Sequence, residues 1–489
     1  MSPARPERSA AVAGSTDLVG GPIGRTLLAF ALPTLGSSVL QSASGSINAI
    51  WVGRFLGEDA LAATANGNIV MFLALAFVFG FGMAATILIG QSFGRGDRRE
   101  ARRVAGTAMG AFVPAAVLLC GAGWWMAPDL LVALGTPANA APLALAYLRV
   151  IFLAMPFMLV FTLASMALRG VGDARTPLLF MALSVLIDSG LNPFLIAGIG
   201  PFPELGIRGA AIATLIANAI ALPAMVLFLY ARRSPLALPR AEWGFLRPDA
   251  AIMRTVLAKG LPIGLQMIVI STAALTMLRL VNAEGVDTTA AYAVAQQLWT
   301  YVQMPAMALG GAVSAMAAQN IGAGRWDRVG RITRDGVVGS VALTAVLVAV
   351  LWVFDAQLMG VFLGAESPAL AVGERIMDMA TWGFLAFAAS LVLFGTVRAN
   401  GAVVPPLVIL FIAMYPVRLG FALGLRPVLG VDALWLSFPV GMAAILLMAG
   451  TYYRFGGWRE ASIAVVPDPH ECEQRARGTK EHAGDLVPG

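Results

Sequence analysis

The chain has 489 residues, of which 58% are apolar and only 12% are charged, and its mean hydropathy is +0.80. A soluble core cannot bury that much apolar surface, so the composition excludes an ordinary soluble protein and indicates that lipid surrounds most of the chain. The formal net charge of +6 does not indicate a nucleic-acid partner, because the basic residues are spread over short loops between apolar runs.

Apolar runs of about 20 residues or more, the length that a helix needs to cross about 30 Å of hydrocarbon, follow one another along the chain. In chain order they predict about twelve transmembrane helices, near 26–50, 61–91, 104–128, 142–168, 176–198, 208–230, 253–282, 290–320, 336–354, 377–397, 403–425 and 433–453. The predicted fold class is therefore an all-α integral membrane protein.

The polar stretches between these runs predict how the chain is divided. The predicted regions are an N-terminal segment at 1–23, a first six-helix lobe at 24–232, a linker at 233–251, a second six-helix lobe at 252–455 and a tail at 456–489. The N-terminal segment lacks the apolar core and cleavage site of a signal peptide. The tail is rich in charge and proline, and we predict that it is disordered.

The arginines predict the orientation of the chain. The loops that follow helices 2, 4, 6, 8, 10 and 12 carry most of the loop arginines, including the run at 95–103, whereas the loops on the opposite side are nearly bare. By the positive-inside rule, the arginine-rich loops and both termini are predicted to be cytoplasmic.

The second half of the chain repeats the first at an offset of about 229 residues. This offset pairs Pro33 with Pro262, and the sequence at 90–96 after helix 2 recurs at 318–324 after helix 8. We interpret these paired Gly-Gln loops as hinge turns. Two six-helix repeats insert with the same orientation, so we expect two lobes related by an axis along the membrane normal, with a central cavity between them.

These features resemble the multidrug and toxic compound extrusion (MATE) family over about residues 24–455. The residues that carry the resemblance are Pro33, the sequence at 52–57, the sequence at 169–173, the sequence at 206–214 and the paired Gly-Gln loops. The resemblance implies a multi-pass protein of the bacterial inner membrane that exports amphipathic, often cationic small molecules. Such an antiporter works by alternating access and exchanges its substrate for H⁺ or Na⁺.

Asp188 is the carboxylate that the sequence places near the centre of a predicted transmembrane helix. An ionised carboxylate in mid-bilayer costs at least a few kcal/mol unless it is paired, hydrated or protonated, so it is a functional hypothesis by default. Asn192, four residues later, shares its helix face, and Pro193 removes a backbone donor. The structural alternative is that Asp188 only caps a kink at Pro193 or pairs with a basic side chain.

The resemblance also implies a cation site in the first lobe, on helices 1, 5 and 6. The residues that match it are Asn48, Asp188, Asn192 and Thr214. This chain departs from the family pattern, because Asn48 stands where many members have aspartate and the acid and the amide on helix 5 are exchanged. One carboxylate among neutral oxygen donors suits a proton or Na⁺ better than a divalent metal, and of the two we favour the proton.

Arg418 lies deep in helix 11, close to the repeat position of Asp188, and needs an acceptor, water or a cavity. It either lines the cavity of the second lobe or forms a structural pair. Glutamines that hydrogen-bond varied drugs and methionines that form adaptable walls are further candidates for the cavity. The candidate set is Gln41, Met71, Gln266, Gln297, Met304 and Arg418. Ordinary helix packing is the alternative for the glutamines and methionines.

Three other functions compete with the exporter. A flippase for lipid-linked oligosaccharides, a membrane-embedded transferase and a channel are each compatible with many apolar helices. Both histidines, His470 and His482, lie in the tail and not in a predicted helix, so the sequence offers no cluster for catalysis. We therefore expect no enzyme activity, no cofactor except the coupling ion, no metal except a possible Na⁺, and a monomer whose partners are membrane lipid and small-molecule substrates.

Overall fold

The computed structural model of the chain describes residues 16–133, 135–136, 140–364 and 366–461. The first lobe contains α1 (Ile23–Gly57), α2 (Val70–Gly94), α3 (Arg98–Trp125), α4 (Ala141–Gly170), α5 (Arg175–Ala197) and α6 (Ile207–Ala231). The second lobe contains α7 (Ala250–Asn282), α8 (Val286–Gly322), α9 (Trp326–Val353), α10 (Ala369–Ala380 and Gly383–Ala399), α11 (Val404–Gly424) and α12 (Asp432–Phe455). Shorter helices connect them at Ala127–Ala133, Arg240–Leu246, Asp355–Leu363 and Arg426–Leu429, and one more follows α12 at Gly457–Arg459.

The helix count agrees with the sequence prediction. Within the described residues, ten helices are long and apolar enough to cross a bilayer, and α10 is an eleventh if its two segments, bent by 46°, form one span. The twelfth, α8, has 37 residues but is less apolar because it carries several glutamines. No strand occurs in the described ranges. The prediction of an all-α membrane protein with about twelve helices in two lobes is confirmed.

Helix α10 begins earlier than the predicted run at 377–397. Its first segment starts at Ala369 and carries Glu374, Arg375 and Asp378, which lower the local hydropathy and hide the helix from a search for apolar runs. Arg375 forms an ion pair with Asp432 of α12. The charged segment is thus tied to its neighbour at the end of the bundle.

The two lobes meet backbone to backbone through glycines. A Cβ on Gly80 of α2 would lie 2.5 Å from the carbonyl oxygen of Gly260 on α7, and a Cβ on Gly94 would lie 2.0 Å from that of Gln319 on α8. A Cβ on Gly322 would lie 2.0 Å from the carbonyl oxygen of Gln91. Only glycine, which has no Cβ, allows contacts this close, so these positions let helices of opposite lobes pack backbone against backbone.

A symmetric pair of hydrogen bonds, here called the glutamine latch, crosses between the lobes beside these glycines. Gln91 Nε2 donates to the carbonyl oxygen of Ala399 at 2.7 Å. Gln319 Nε2 donates to the carbonyl oxygen of Gly170 at 2.8 Å. Both glutamines are buried. The loops that we interpreted as hinge turns therefore contribute, through the last turns of α2 and α8, to a closed contact between the lobes.

The linker lies at the same end of the bundle, here called the linker face. Its short helix Arg240–Leu246 packs on α3, where a Cβ on Gly110 would lie 1.8 Å from the carbonyl oxygen of Leu246. Arg102 of α3 forms an ion pair with Glu242, and Arg103 forms one with Asp249 at 2.6 Å. The linker is therefore docked on the first lobe.

The residues before α1 join the lobes at the linker face as well. Asn320 Nδ2 donates to the carbonyl oxygen of Leu18 at 2.9 Å, and Arg328 donates to that of Gly21 at 2.7 Å. Thr16 N donates to the carbonyl oxygen of Gly172 at 3.1 Å. Residues 16–21 thus connect the loop after α4 to the start of α9. Residues 1–15 of the predicted N-terminal segment 1–23 lie outside the described residues, and so do residues 462–489 of the predicted disordered tail.

Candidate cation site in the first lobe

Asp188 lies near the middle of the 23-residue helix α5 and is only 6% exposed. Helix α5 packs against α1 and α6, and the carboxylate is directed between them. Pro193 stands five residues later, inside the same helix. Because proline has no N–H, the carbonyl oxygen of Ser189 lacks its usual helical donor.

Two hydroxyl groups contact the Asp188 carboxylate. Thr214 Oγ1 on α6 donates to Oδ1 at 2.9 Å, and Ser44 Oγ on α1 donates to Oδ2 at 3.3 Å. Thr214 Oγ1 also lies 3.3 Å from the carbonyl oxygen of Ala210. A hydroxyl has a single proton, so Thr214 can donate to the backbone when Asp188 carries its own proton. The pair is thus able to accommodate both protonation states of the carboxyl group.

The amide of Asn192 presents its oxygen to the site. Its Nδ2 donates to the carbonyl oxygen of Asp188 at 3.0 Å, which fixes the orientation of the amide because a carbonyl can only accept. Asn192 Oδ1 is buried and has no hydrogen-bond partner. The same is true of Asn48 Oδ1 on α1 and of the Ser189 hydroxyl. Buried oxygen acceptors without a donor are costly, and a cation or a protonated group would satisfy them.

Three of the four residues that the sequence predicts for the cation site are joined by hydrogen bonds, because Thr214 bonds to the Asp188 carboxylate and Asn192 bonds to the Asp188 backbone. The fourth, Asn48, follows Ser44 by one turn of α1, and Tyr147 lies near both Asn48 and Asp188. Among the ion pairs of the described residues none includes Asp188. The alternative that Asp188 forms a structural pair with a basic side chain does not hold in this structure.

Sequence reasoning missed two members of the site. Ser44 precedes Asn48 by four residues and so shares its helix face, a signal that was present in the sequence. Tyr147 of α4 is buried, and its ring fits against Gly67, where a Cβ would lie 2.7 Å from it. Nothing in the local sequence of α4 distinguishes Tyr147 from an ordinary packing residue.

The candidates for the substrate cavity are not gathered at one place. Gln41 and Gln297 are exposed, and Met71 and Met304 are half-buried. Gln266 is buried: its Nε2 donates to the carbonyl oxygen of Val403 at 3.2 Å and its Oε1 accepts from Arg398. In this conformation Gln266 ties α7 to the end of α10. The cavity role of these residues stays a prediction.

Arg418 lies in the second lobe, within a π-helical turn of α11 at Ala413–Leu419 that contains Pro416. It is 6% exposed, like Asp188, and its guanidinium carbon lies 3.6 Å from the ring centroid of Phe438 on α12. The ion pairs of the described residues do not include it. The two lobes thus bury opposite charges at nearly equivalent positions of the repeat.

Comparisons with known proteins agree with this architecture. The MatE family model matches residues 33–194 and 262–423, one stretch in each lobe. The probable multidrug resistance protein YoeA of Bacillus subtilis is 34% identical over 90% of this chain and 95% of its own length. YpnP, a second probable multidrug resistance protein of that bacterium, is 31% identical over 91% of this chain and 98% of its own.

Solved structures show the same fold. The outward-facing conformation of a multidrug resistance MATE family transporter superposes with a TM-score of 0.83 over 91% of this chain and 99% of that chain. The two sequences are only 18% identical, so this likeness concerns the fold.

Proposed function

Because this chain belongs to the MatE family, whose members are transporters and not enzymes, we propose that it is a secondary-active exporter of amphipathic, often cationic compounds. The exporter exchanges its substrate for H⁺ or Na⁺, and the ion binds at Asp188. The names of the two Bacillus relatives, which cover nearly the whole chain, support multidrug export.

The observation that carries the proposal is the oxygen-lined site around Asp188. It holds one carboxylate, two hydroxyl groups that contact that carboxylate, and two buried amide oxygens without a donor. A site with one negative charge and several neutral acceptors favours a monovalent cation or a proton over a divalent metal. The Thr214 hydroxyl has one proton and two possible acceptors, the Asp188 carboxylate and the carbonyl oxygen of Ala210, so it keeps a hydrogen bond when Asp188 is protonated. This supports a proton as the coupling ion. Asn48 and Asn192 supply oxygens that a sodium ion would use.

Exchange follows if the ion and the cationic substrate cannot occupy the first lobe together. Binding of the ion neutralises Asp188 and removes the charge that attracts a cationic substrate, and binding of the substrate favours release of the ion. Such negative coupling between two ligands is reciprocal by thermodynamic necessity. The buried glycine contacts and the glutamine latch supply an interface between the lobes that can open and close as alternating access requires.

We also propose the orientation and surroundings of the exporter. The linker face carries the arginine-rich loops, so it is the cytoplasmic face, and both termini lie on that side of a bacterial inner membrane. One chain supplies both lobes and the interface between them, so the working unit is a monomer.

The test is transport by the full chain reconstituted in proteoliposomes. Ethidium movement is followed by fluorescence under an imposed proton gradient and, separately, under a sodium gradient. We expect one of the gradients to drive ethidium transport in the wild type, and Asp188→Asn to abolish gradient-driven transport while the protein remains folded. The matched control is Asp327→Asn, which removes a carboxylate from an exposed ion pair with Arg331 and leaves transport unchanged.

Two outcomes contradict the proposal. Normal gradient-driven transport by Asp188→Asn makes Asp188 structural. Absence of transport for ethidium and for other cationic dyes under both gradients rejects multidrug export and favours the flippase.

A further inference from the structure

Arg418 is a buried cation whose partners do not include an anion. Its Nη1 contacts the sulfur of Met414 at 3.6 Å, and its guanidinium stacks on Phe438. Its Nε is buried without a hydrogen-bond partner. A stacked aromatic ring stabilises a desolvated guanidinium only in part, which leaves most of the cost of a buried charge uncompensated.

A second buried donor lies beside Arg418. Tyr292 of α8 is 1% exposed, and its ring lies 6.1 Å from that of Phe438 and 6.0 Å from that of Trp435. Its hydroxyl oxygen lies against the Arg418 guanidinium and can accept from it. The proton of that hydroxyl, like the N–H at Arg418 Nε, has no acceptor among the described residues.

Two acidic residues of the second lobe form ion pairs with other arginines. Asp432, at the start of α12, pairs with Arg375, and Glu284, between α7 and α8, pairs with Arg426. Gly441 of α12 brings the backbone close to the stem of Arg418, since a Cβ there would lie 3.1 Å from the Arg418 Cβ. The stem is thus held by α12, and the described acids do not neutralise the guanidinium.

The contrast with the first lobe identifies what Arg418 and Tyr292 lack. Around Asp188 the unpartnered atoms include the acceptors Asn48 Oδ1 and Asn192 Oδ1, whereas around Arg418 they are donors. A buried donor is satisfied by an acceptor, and two donors, one of them charged, call for an anionic one. A planar carboxylate binds one edge of a guanidinium through two parallel hydrogen bonds. In Arg418, Nη1 contacts Met414, and Nε belongs to a different edge that a carboxylate could bind.

We propose that Arg418 and Tyr292 form an anion subsite in the second lobe that binds a carboxylate group of a transported compound. This subsite rests on the proposed export function and extends its substrates to amphipathic compounds that carry both a cationic and an anionic group. Phe438 and Met414 form an apolar wall for the part of the compound next to the carboxylate.

The first experiment compares two dyes that differ only at a carboxyl group. Rhodamine 110 has a free carboxylate, and rhodamine 123 is its methyl ester. Binding of each to the purified full chain is measured by fluorescence anisotropy. We expect wild type to bind the free acid about tenfold more tightly than the ester, because a buried charge-assisted hydrogen bond is lost in the ester. Arg418→Gln should abolish this preference, so that the free acid binds no more tightly than the ester.

Conservative variants separate the subsite from the packing around it. Tyr292→Phe keeps the ring in the aromatic contacts and removes only the hydroxyl, so we expect a reduced preference for the acid in a protein that folds normally. Arg418→Lys keeps the charge but lacks the planar fork, and we expect it to lose most of the preference. These variants preserve the test if Arg418→Gln does not fold.

The second experiment does not depend on dye binding. The melting temperature of the full chain is measured in sodium benzoate, in benzamide with sodium chloride, and in sodium chloride alone, at equal ionic strength. We expect benzoate alone to stabilise wild type, and to stabilise neither Arg418→Gln nor Tyr292→Phe. If benzoate stabilises the wild type in this way while neither dye binds, the subsite stands and the export of dyes fails.

Two results overturn the subsite. The first is equal binding of acid and ester together with no specific effect of benzoate. The second is that sodium chloride stabilises the protein as much as benzoate does and that this stabilisation requires Arg418. That result would assign the position to a small inorganic anion.

Discussion

The glutamine latch gives a quantitative prediction about the contact between the lobes. The double variant Gln91→Ala/Gln319→Ala removes two buried hydrogen bonds, of 2.7 and 2.8 Å, that join opposite lobes at the linker face. The acceptor carbonyls, on Ala399 and Gly170, gain water when the lobes separate, so each bond contributes only its net value of about 1–1.5 kcal/mol to the closed contact. Together they contribute about 2–3 kcal/mol, which corresponds to a shift of about 30- to 140-fold in the equilibrium toward the separated lobes.

The shift can be measured by electron spin resonance distances between one label on each lobe. Arg175, at the start of α5, and Arg334, on α9, are exposed and can carry the labels in a variant that lacks Cys120 and Cys472. We expect the double variant to move population from the short to the long distance, and each single variant to produce about half of that change in free energy.

A matched control separates the latch from the general effect of losing a glutamine. Gln303 of α8 donates to the carbonyl oxygen of Trp299 within its own helix, at 3.3 Å, so Gln303→Ala should leave the distances unchanged. If the double variant has the distance distribution of the wild type, the latch does not hold the lobes together and the reasoning is refuted.

Three further predictions concern the lobe contact, the cation site and the linker. Gly94→Ala places a Cβ 2.0 Å from a backbone oxygen of α8, so the linker face should open by the same distance measurement even with the latch intact. Thr214→Val removes a hydroxyl oxygen that contacts Asp188, and we expect about tenfold weaker binding of Na⁺, which loses that oxygen as a ligand, measured by calorimetry. Hydrogen bonding to Arg102 lowers the pKa of Glu242 below its ordinary value of 4.5. That pairing therefore stabilises the docked linker above pH 4.5, and the stabilisation is lost as the pH falls through the lowered pKa of Glu242. Limited proteolysis should accordingly cleave the linker faster at low pH.

Each of these predictions has its own control. Gly96→Ala, in an open turn of positive φ, tests whether strain in the loop alone opens the lobes; equal opening by both variants would contradict the steric argument. Thr162→Val removes a hydroxyl that bonds only within α4, and an equal loss of ion affinity there would show a nonspecific effect. Glu242→Gln should remove the pH dependence of linker cleavage, and an unchanged dependence would assign it elsewhere.

Most of what the sequence could predict came from the lengths of its apolar runs and from the positions of its charged residues. The spans follow from hydropathy because hydrocarbon excludes polar side chains, and Asp188 was recognised because a carboxylate in such a span is rare. Asn192 followed from helical spacing, whereas Asn48 and Thr214 were placed only through the family resemblance, since amides and hydroxyls are common in membrane helices.

Contacts that depend on the tertiary structure could not be predicted. The acceptors of the glutamine latch are backbone carbonyls, which leave no mark in the sequence, and the charged first segment of α10 does not look apolar. The second donor beside Arg418 is Tyr292, about 126 residues away along the chain, and only the packing of α8 against α12 brings the two together.

The central claim, that substrate and coupling ion compete at Asp188, is tested most directly by counting ions released when substrate binds. Tetraphenylphosphonium is added to the purified protein in weak buffer with a pH indicator, and, in a parallel sample, after loading with ²²Na⁺. We expect release of about one proton or one sodium ion per bound substrate in wild type, and none in Asp188→Asn. Substrate binding without ion release in wild type, or unchanged release in Asp188→Asn, would contradict it.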